Sequence, residues 1–189
     1  MTSFEFYSGR VAPAPEPLPD DIATAIAEVM RGNPPLQLFT TLARDRRLFF
    51  KLFSSGLLDR GNLTIREREI VIDRTTARCG AEYEWGVHVA VYAAKAGLTP
   101  EQIRSLTFGG PDDPCWDSED DRVLIRLCDA LHESATVDDD LWAELARRHS
   151  DEALLELLML AGFYRMISYL VNGLALPLEG SAARFSDVG

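Results

Sequence analysis

Apolar positions along this chain recur at three- and four-residue intervals and almost nowhere at every second position, a pattern that predicts helices and argues against a sheet. Between Ser118 and His132, for example, Val123, Leu124, Leu127 and Leu131 fall at helical spacing. Start and stop signals divide the pattern into elements. Asp20 or Asp21 caps a short helix that ends near Gly32-Asn33-Pro34-Pro35, and a longer apolar stretch runs from Leu36 to Leu58 and ends at Gly61. Thr64-Ile65-Arg66-Glu67 is a capping box, with the threonine accepting from, and the glutamate reaching back to, unpaired backbone donors. The helix it opens is predicted to reach about Arg78 and to stop at Gly80, and the next, over about 82–96, stops at Gly97. Thr99-Pro100-Glu101-Gln102 is a second capping box, with proline in the first turn. Three more helices fit at about 118–132, 139–147 and 151–172, which makes the expected fold all-α with about eight helices.

The start of the chain is different. Pro13, Pro15, Pro17 and Pro19 stand at every second position, which no helix tolerates. Residues 1–20 are therefore expected to form an extended arm, resting on another subunit. A single all-α domain over 21–180 and a C-terminal tail over 181–189 complete the expected organisation.

Composition narrows the functions. The chain has 189 residues, 47% of them apolar, which suits one globular domain. Against 19 Lys and Arg stand 30 Asp and Glu, a net charge of −11. That excess repels phosphate and anionic lipid, so neither nucleic acid nor a membrane is the expected partner. A small anionic metabolite stays compatible, because a local arginine can overrule the global field. The N-terminus lacks a basic start and an apolar run. The densest apolar stretch, Leu154 to Leu176, is interrupted by Glu156, Arg165 and Asn172, short of an uninterrupted membrane span. Cys79, Cys115 and Cys128 are an odd number at wide spacing, which fits a reducing, cytoplasmic setting better than a disulfide framework.

Candidate chemistry concentrates between Arg68 and Gly97. Glu69 shares a helix face with Ile65, Ile72 and Thr76, and a carboxylate with apolar neighbours tends to be buried and to hold a proton near neutrality. On the next helix Glu84 and His88 lie four apart, one above the other, flanked by Trp85, Val91 and Tyr92. A carboxylate beside an imidazole fixes its tautomer and raises its basicity, the equipment of a general acid/base. Antiparallel packing of the two helices across the short Cys79–Ala81 link would bring Glu69 to the pair.

Plainer readings compete. Glu84 and His88 also fit an ordinary surface pair, and Glu69 a partner of Arg66 or Arg74. Tyr83, Trp85 and Tyr92 fit core packing as well as substrate contact. His132 and His149 read as cations at helix ends. Two glutamates and one histidine match a divalent-metal set only weakly, with no second histidine at ligand spacing, so no metal and no cofactor is expected. No two cysteines stand two residues apart, and there is no Gly-rich phosphate loop, G-x-S-x-G or dinucleotide fingerprint.

Arg68-Glu69-Ile70, Tyr83-Glu84-Trp85-x-x-His88 and Ala96-Gly97-Leu98 together resemble the core of the carboxymuconolactone decarboxylase family, whose superfamily includes the alkylhydroperoxidase D proteins. The resemblance continues through Leu127-Cys128-Asp129-Ala130-Leu131-His132, Trp142, Gly162-Phe163-Tyr164-Arg165-Met166 and Asn172 to Leu178-Glu179, covering roughly 36–179. It implies an alkylhydroperoxidase D-like helical fold, assembled as a homo-oligomer, a trimer or hexamer with a dimer as the alternative. In the peroxidase branch a C-x-x-C pair precedes the histidine by seven and four positions; Ala81 and Glu84 stand there in this chain. Dithiol peroxidase chemistry is therefore not expected.

The decarboxylase branch implies a cofactor-independent lyase acting on a small carboxylated or lactone metabolite. On that reading His88 is the general acid/base, Glu84 its orienting partner and Glu69 a relay. Tyr83, Trp85, Tyr92, Arg74 and Arg78 are candidates for substrate contact, with either arginine a holder of the substrate anion. The alternatives are a non-enzymatic small-ligand-binding oligomer and residual redox activity at Cys79. The acid/base reading further expects Glu69, Glu84 and His88 to meet in a pocket.

Overall fold

Six of the helices begin where a side chain takes over an orphan backbone donor. Asp45, Thr64, Thr99, Ser118, Asp138 and Ser150 each accept from an amide two or three residues ahead, and both predicted capping boxes form. The computed structural model describes residues 7–55, 57 and 59–189. Among them nine α-helices follow one another: α1 (Asp20–Met30), α2 (Gln37–Leu42), α3 (Arg46–Phe53), α4 (Ile65–Arg78), α5 (Glu82–Tyr92), α6 (Pro100–Phe108), α7 (Glu119–Ser134), α8 (Asp139–Ala146) and α9 (Asp151–Gly173). A short 3₁₀ turn, Phe185–Asp187, lies near the end, and no strand occurs among the described residues. The all-α expectation holds.

The additional helix comes from the stretch read as continuous from Leu36; Gly56 and Leu58 lie outside the described residues. Asp45 leaves helical geometry, accepts from Leu48 N and starts α3 afresh. Gly80 adopts positive φ, 62°, at the predicted stop after α4; α5 ends at Tyr92, short of the 82–96 expected, and the turn that follows closes at Gly97, φ 66°, a conformation that favours glycine.

Helix α4 is the hub, packing against α5, α6, α7 and α9. Its Ile70, Val71 and Ile72 meet Val123, Leu124 and Leu127 of α7 and Leu157 and Leu160 of α9 in one apolar cluster. A second cluster joins Ile22, Phe39 and Phe49 of α1–α3 to Tyr83 of α5 and Ile167 and Val171 of α9. By length and composition alone α9 could cross a membrane, yet 44% of its most apolar window is buried inside this fold, as in the core helix of a folded domain.

The described part of the N-terminal arm is tied to its own chain. Arg10 N donates to Leu174 O and Ala14 N to Thr40 O, both at 2.8 Å, while Arg44 Nη1 donates to Pro13 O at 3.1 Å. Those bonds satisfy arm backbone groups within the chain. Residues 1–6 of the arm lie outside the described residues. At the other end Ala183 N donates to Gly86 O at 3.0 Å and Phe185 rests on Trp85, with ring centroids 4.8 Å apart.

Candidate functional site

The link Cys79–Ala81 turns the chain so that α5 packs on α4, and this brings together two residues nineteen apart in sequence. Glu69 Oε2 lies 2.9 Å from His88 Nδ1. On the other side of the ring, the Tyr164 hydroxyl of α9 is 3.1 Å from Nε2 and Glu84 Oε1 is 3.6 Å from it. The Tyr164 ring stands edge-on to the imidazole at 89°, and Tyr92, one turn beyond His88, has its ring centroid 5.4 Å away. Glu69, Glu84, His88 and Tyr164 are all buried. The two glutamates take opposite nitrogens of one ring, so the arrangement reads as a line, Glu69–His88–Tyr164/Glu84. Among the described residues no group of three or more His, Cys, Asp or Glu side chains takes a metal-holding arrangement.

The electrostatics follow from burial and charge. Burial acts to strip the imidazole of its proton, but the hydrogen bonds and charges of Glu69 and Glu84 outweigh it and push His88 up to about 10. At neutral pH His88 is thus an imidazolium: Nδ1–H donates to Glu69, and Nε2–H faces the Tyr164 oxygen. The Tyr164 phenol is held well above its ordinary value, first by burial and then by the charges of Glu84 and Glu69, and stays neutral. When Nε2 gives up its proton, the Tyr164 hydroxyl can rotate from acceptor to donor, so the site stays satisfied in both states.

Two members were missed in the sequence, Tyr164, seventy-six residues from His88, and Asp73. Asp73, one turn along α4 from Glu69, is fully buried, and neither carboxyl oxygen has a partner. Burial, reinforced by the Glu69 charge, raises it well above the ordinary carboxyl range despite the opposing pull of His88. Asp73 thus favours its neutral form more than an ordinary carboxyl does, beneath the cluster. The available signal was a carboxyl inside the run Ile70-Val71-Ile72-Asp73, four residues on from Glu69. Glu84 Oε2 and Trp85 Nε1 are also buried without partners.

The expected substrate contacts divide. Tyr92 adjoins His88; the others do not join the cluster. The Tyr83 hydroxyl ties Glu179 to the amide of Leu38, and Trp85 lies beneath Phe185 in the core. Arg74 donates from Nε and Nη2 to Asp129, both at 2.8 Å, and from Nη1 to Leu106 O at 2.9 Å and Gly109 O at 3.0 Å. Arg78 pairs with Asp129 at 3.3 Å and Glu133 at 3.1 Å. Both arginines are committed to holding α7, so neither is free for a substrate anion. Glu69 does not pair with Arg66, which instead holds Asp121 at 2.7 Å.

The other histidines also settle into local roles. His132 is no helix-end cation: burial and the charges of Arg78 and Arg165 lower its pKa. Its Nδ1 lies 3.9 Å from Cys79 Sγ. His149 bridges Glu67 at 3.1 Å and the Leu145 carbonyl at 3.3 Å. Burial pushes the Cys128 thiol up to about 12. Two surface clefts lie elsewhere: one of about 410 Å³ beside Arg104, Phe108 and Cys115, the other of about 310 Å³ beside Asn62, Leu155 and Glu156. Neither is lined by the cluster, which sits in the helical interior and not in these openings.

Fold and site together define an all-α domain built around a buried carboxylate–imidazole–phenol line. Residues 47–116 match the model of the Carboxymuconolactone decarboxylase family. No curated protein matches the sequence. Among solved structures, a peroxidase-related protein from Silicibacter sp. TM1040 is similar over 98% of this chain and 99% of its own, with TM-score 0.81 and 17% identity. A peroxidase-related protein with an alkylhydroperoxidase AhpD core, from Ralstonia eutropha JMP134, is similar over 91% and 93%, with TM-score 0.76 and 21% identity. The debrominase Bmp8 in complex with 2,3,4-tribromopyrrole is similar over 90% and 92%, with TM-score 0.76 and 13% identity. At such identities these likenesses establish the fold.

Proposed function

We propose that the buried line is a proton-transfer centre and that the protein is a cofactor-independent lyase of carboxymuconolactone decarboxylase type, acting on a small carboxylated or lactone metabolite. The observation that carries this reading is the His88 ring held between Glu69 at Nδ1, 2.9 Å away, and Tyr164 at Nε2, 3.1 Å away, while buried. Loss of CO₂ breaks a carbon–carbon bond and leaves its electron pair on carbon as an enolate, which then needs a proton. The imidazolium delivers it from Nε2, and the nitrogen lone pair left behind accepts from the Tyr164 hydroxyl. Glu69 keeps Nδ1–H and the ring plane fixed, and Glu84 steadies the cation. Water returns the proton at the end of turnover. Among the fold relatives, a small flat ring in complex with the debrominase supports a ligand of this size.

The test is ultraviolet loss of 4-carboxymuconolactone with purified protein and chelator present. Turnover that drops ~10²–10⁴-fold in His88→Ala supports the reading. Turnover indifferent to His88→Ala removes the residue from its role, and no turnover by the wild type argues against this substrate.

A thiol reading rests on a separate contact, Cys79 Sγ 3.9 Å from His132 Nδ1. Alkylation of Cys79 at neutral pH faster than that of a free thiol would favour it; an ordinary rate would dismiss it.

A further inference from the structure

Four arginines lie on α4, and three of them are neutralised. Arg66 pairs with Asp121, Arg74 with Asp129, and Arg78 with Asp129 and Glu133. Among the described residues no carboxylate pairs with Arg68. Its Nη1 donates to Asp59 O at 2.7 Å and its Nη2 to Leu57 O at 3.0 Å, both neutral acceptors. A guanidinium has five N–H donors, and here Nε–H, the one nearest the main chain, is buried without a partner. A half-buried cation without a counter-ion is costly, and 30 Asp and Glu leave no shortage of partners in this chain.

The place of this charge is as telling as its lack of a partner. Arg68 precedes Glu69 on α4, and its field reaches the far end of the line. Tyr164, held up by burial and by the charges of Glu84 and Glu69, feels Arg68 pulling the other way. The two carbonyls that Arg68 holds belong to residues lining the 310 Å³ cleft, so its side chain runs from the line toward the wall of an opening.

Building on the lyase proposed for this site, we propose that Arg68 is its anion-binding residue and holds the substrate carboxylate that stays in the product. A departing carboxylate loses its charge as CO₂ forms. A guanidinium on that group would favour substrate over transition state and slow the reaction. A retained carboxylate keeps its charge throughout, so holding it lowers KM and leaves kcat alone. Arg68 therefore selects substrates with two carboxylates, one gripped and one lost beside the His88 imidazolium. The gripped group accepts from Nε–H and from Nη2–H, the paired edge that matches the two oxygens of a carboxylate.

The probes are 2-furoate, a small flat ring with one carboxylate, and its neutral analogue 2-furamide, followed by calorimetry and nitrogen-15 NMR on the full-length chain. Wild type is expected to prefer furoate, and the Arg68 Nε–H resonance to move as furoate binds. Arg68→Gln should weaken furoate ~10–10²-fold, the worth of a charged hydrogen bond, and leave furamide unchanged. Arg68→Lys, which keeps the charge but loses the paired edge, should recover part of the preference. Binding is read apart from turnover, so the lyase and the anion site fail separately. A furoate site that needs Arg68, in a protein inactive on 4-carboxymuconolactone, would sink the lyase and uphold the anion site. Turnover with KM unchanged in Arg68→Gln would keep the lyase and overturn the role of Arg68. A wild type that binds furoate no more tightly than furamide would overturn it too. So would a loss in Arg68→Gln shared equally by both ligands, the mark of a merely structural residue. Should Arg68→Gln lose its helical circular dichroism, the wild-type Nε–H resonance decides, and one that furoate leaves unmoved overturns the assignment.

Discussion

Tyr164 of α9 meets His88 of α5 at the one ring nitrogen that Glu69 leaves open, 3.1 Å from hydroxyl to Nε2. The contact joins the helix that closes the core to the helix that carries the imidazole, and it sets which proton of His88 can move. Tyr164→Phe keeps the edge-on ring and deletes only the hydroxyl. Its expected effect is a loss of turnover smaller than that of His88→Ala, with the His88 Nε2–H resonance shifted in nitrogen-15 NMR. An unmoved resonance would separate the phenol from the line.

Glu69→Gln removes the carboxylate that keeps Nδ1 protonated. The imidazole, pushed up to about 10 in the wild type by Glu69 and Glu84 against burial, should then release its proton at clearly lower pH. An NMR titration of His88 in both proteins decides this, and coincident curves would contradict the assignment.

The same shift fixes how stability varies with pH. The folded pKa of His88 lies above its ordinary 6.5, so its contribution is fully present below about pH 6.5 and is lost as pH rises through about 10. Denaturant unfolding between pH 6 and 10.5 should show the wild type losing more stability across this window than His88→Ala. An equal loss would mean that the proton is not held by folding.

Asp73 contributes in the same sense from a lower starting point. Its folded pKa is raised, so stability is greatest below its ordinary value near 3.8 and declines as pH climbs toward the folded value. Asp73→Asn has no proton to lose and should gain on the wild type as pH rises, by up to about 1.4 kcal/mol per pH unit. Parallel stability curves for the two proteins would show that Asp73 is not held neutral.

Arg74→Ala tests the reassignment of that arginine from substrate to scaffold. It breaks a two-bond pair with Asp129 and strands three carbonyl contacts, so the expected cost is about 3–5 kcal/mol. The His88 titration should not move. A stable variant with a raised KM would restore the substrate role.

Much of this architecture was readable from local signals, because caps and stops are short-range. Thr64 and Thr99 opened helices where their boxes predicted and Gly80 marked a stop, whereas α5 ended at Tyr92, before the stop expected at Gly97. Glu69 and His88 could be paired because a three-residue link leaves α5 little choice but to fold onto α4. Distance in sequence defeated the rest. Arg74 finds Asp129 fifty-five residues on, and Tyr164 finds His88 seventy-six residues back, through the way α7 and α9 lie across α4 and α5. Asp73 went unremarked because a carboxyl without a partner leaves no spacing to detect. The break at Asp45 was hidden because apolar residues continue on both sides, Leu38, Phe39 and Leu42 before it and Leu48, Phe49 and Leu52 after, and one capping side chain decides it.

Gly86 bears on the far end of the chain. A side chain there would run into the Ala183 carbonyl, so the last residues can dock over α5 only because this position is bare. Docking seats Phe185 against Trp85, whose indole is otherwise sealed in the core. In a Trp116→Phe/Trp142→Phe background the emission of that indole is therefore a built-in gauge of whether the C-terminus is seated, and a fusion placed after Gly189 can be judged by whether it moves that emission to longer wavelength.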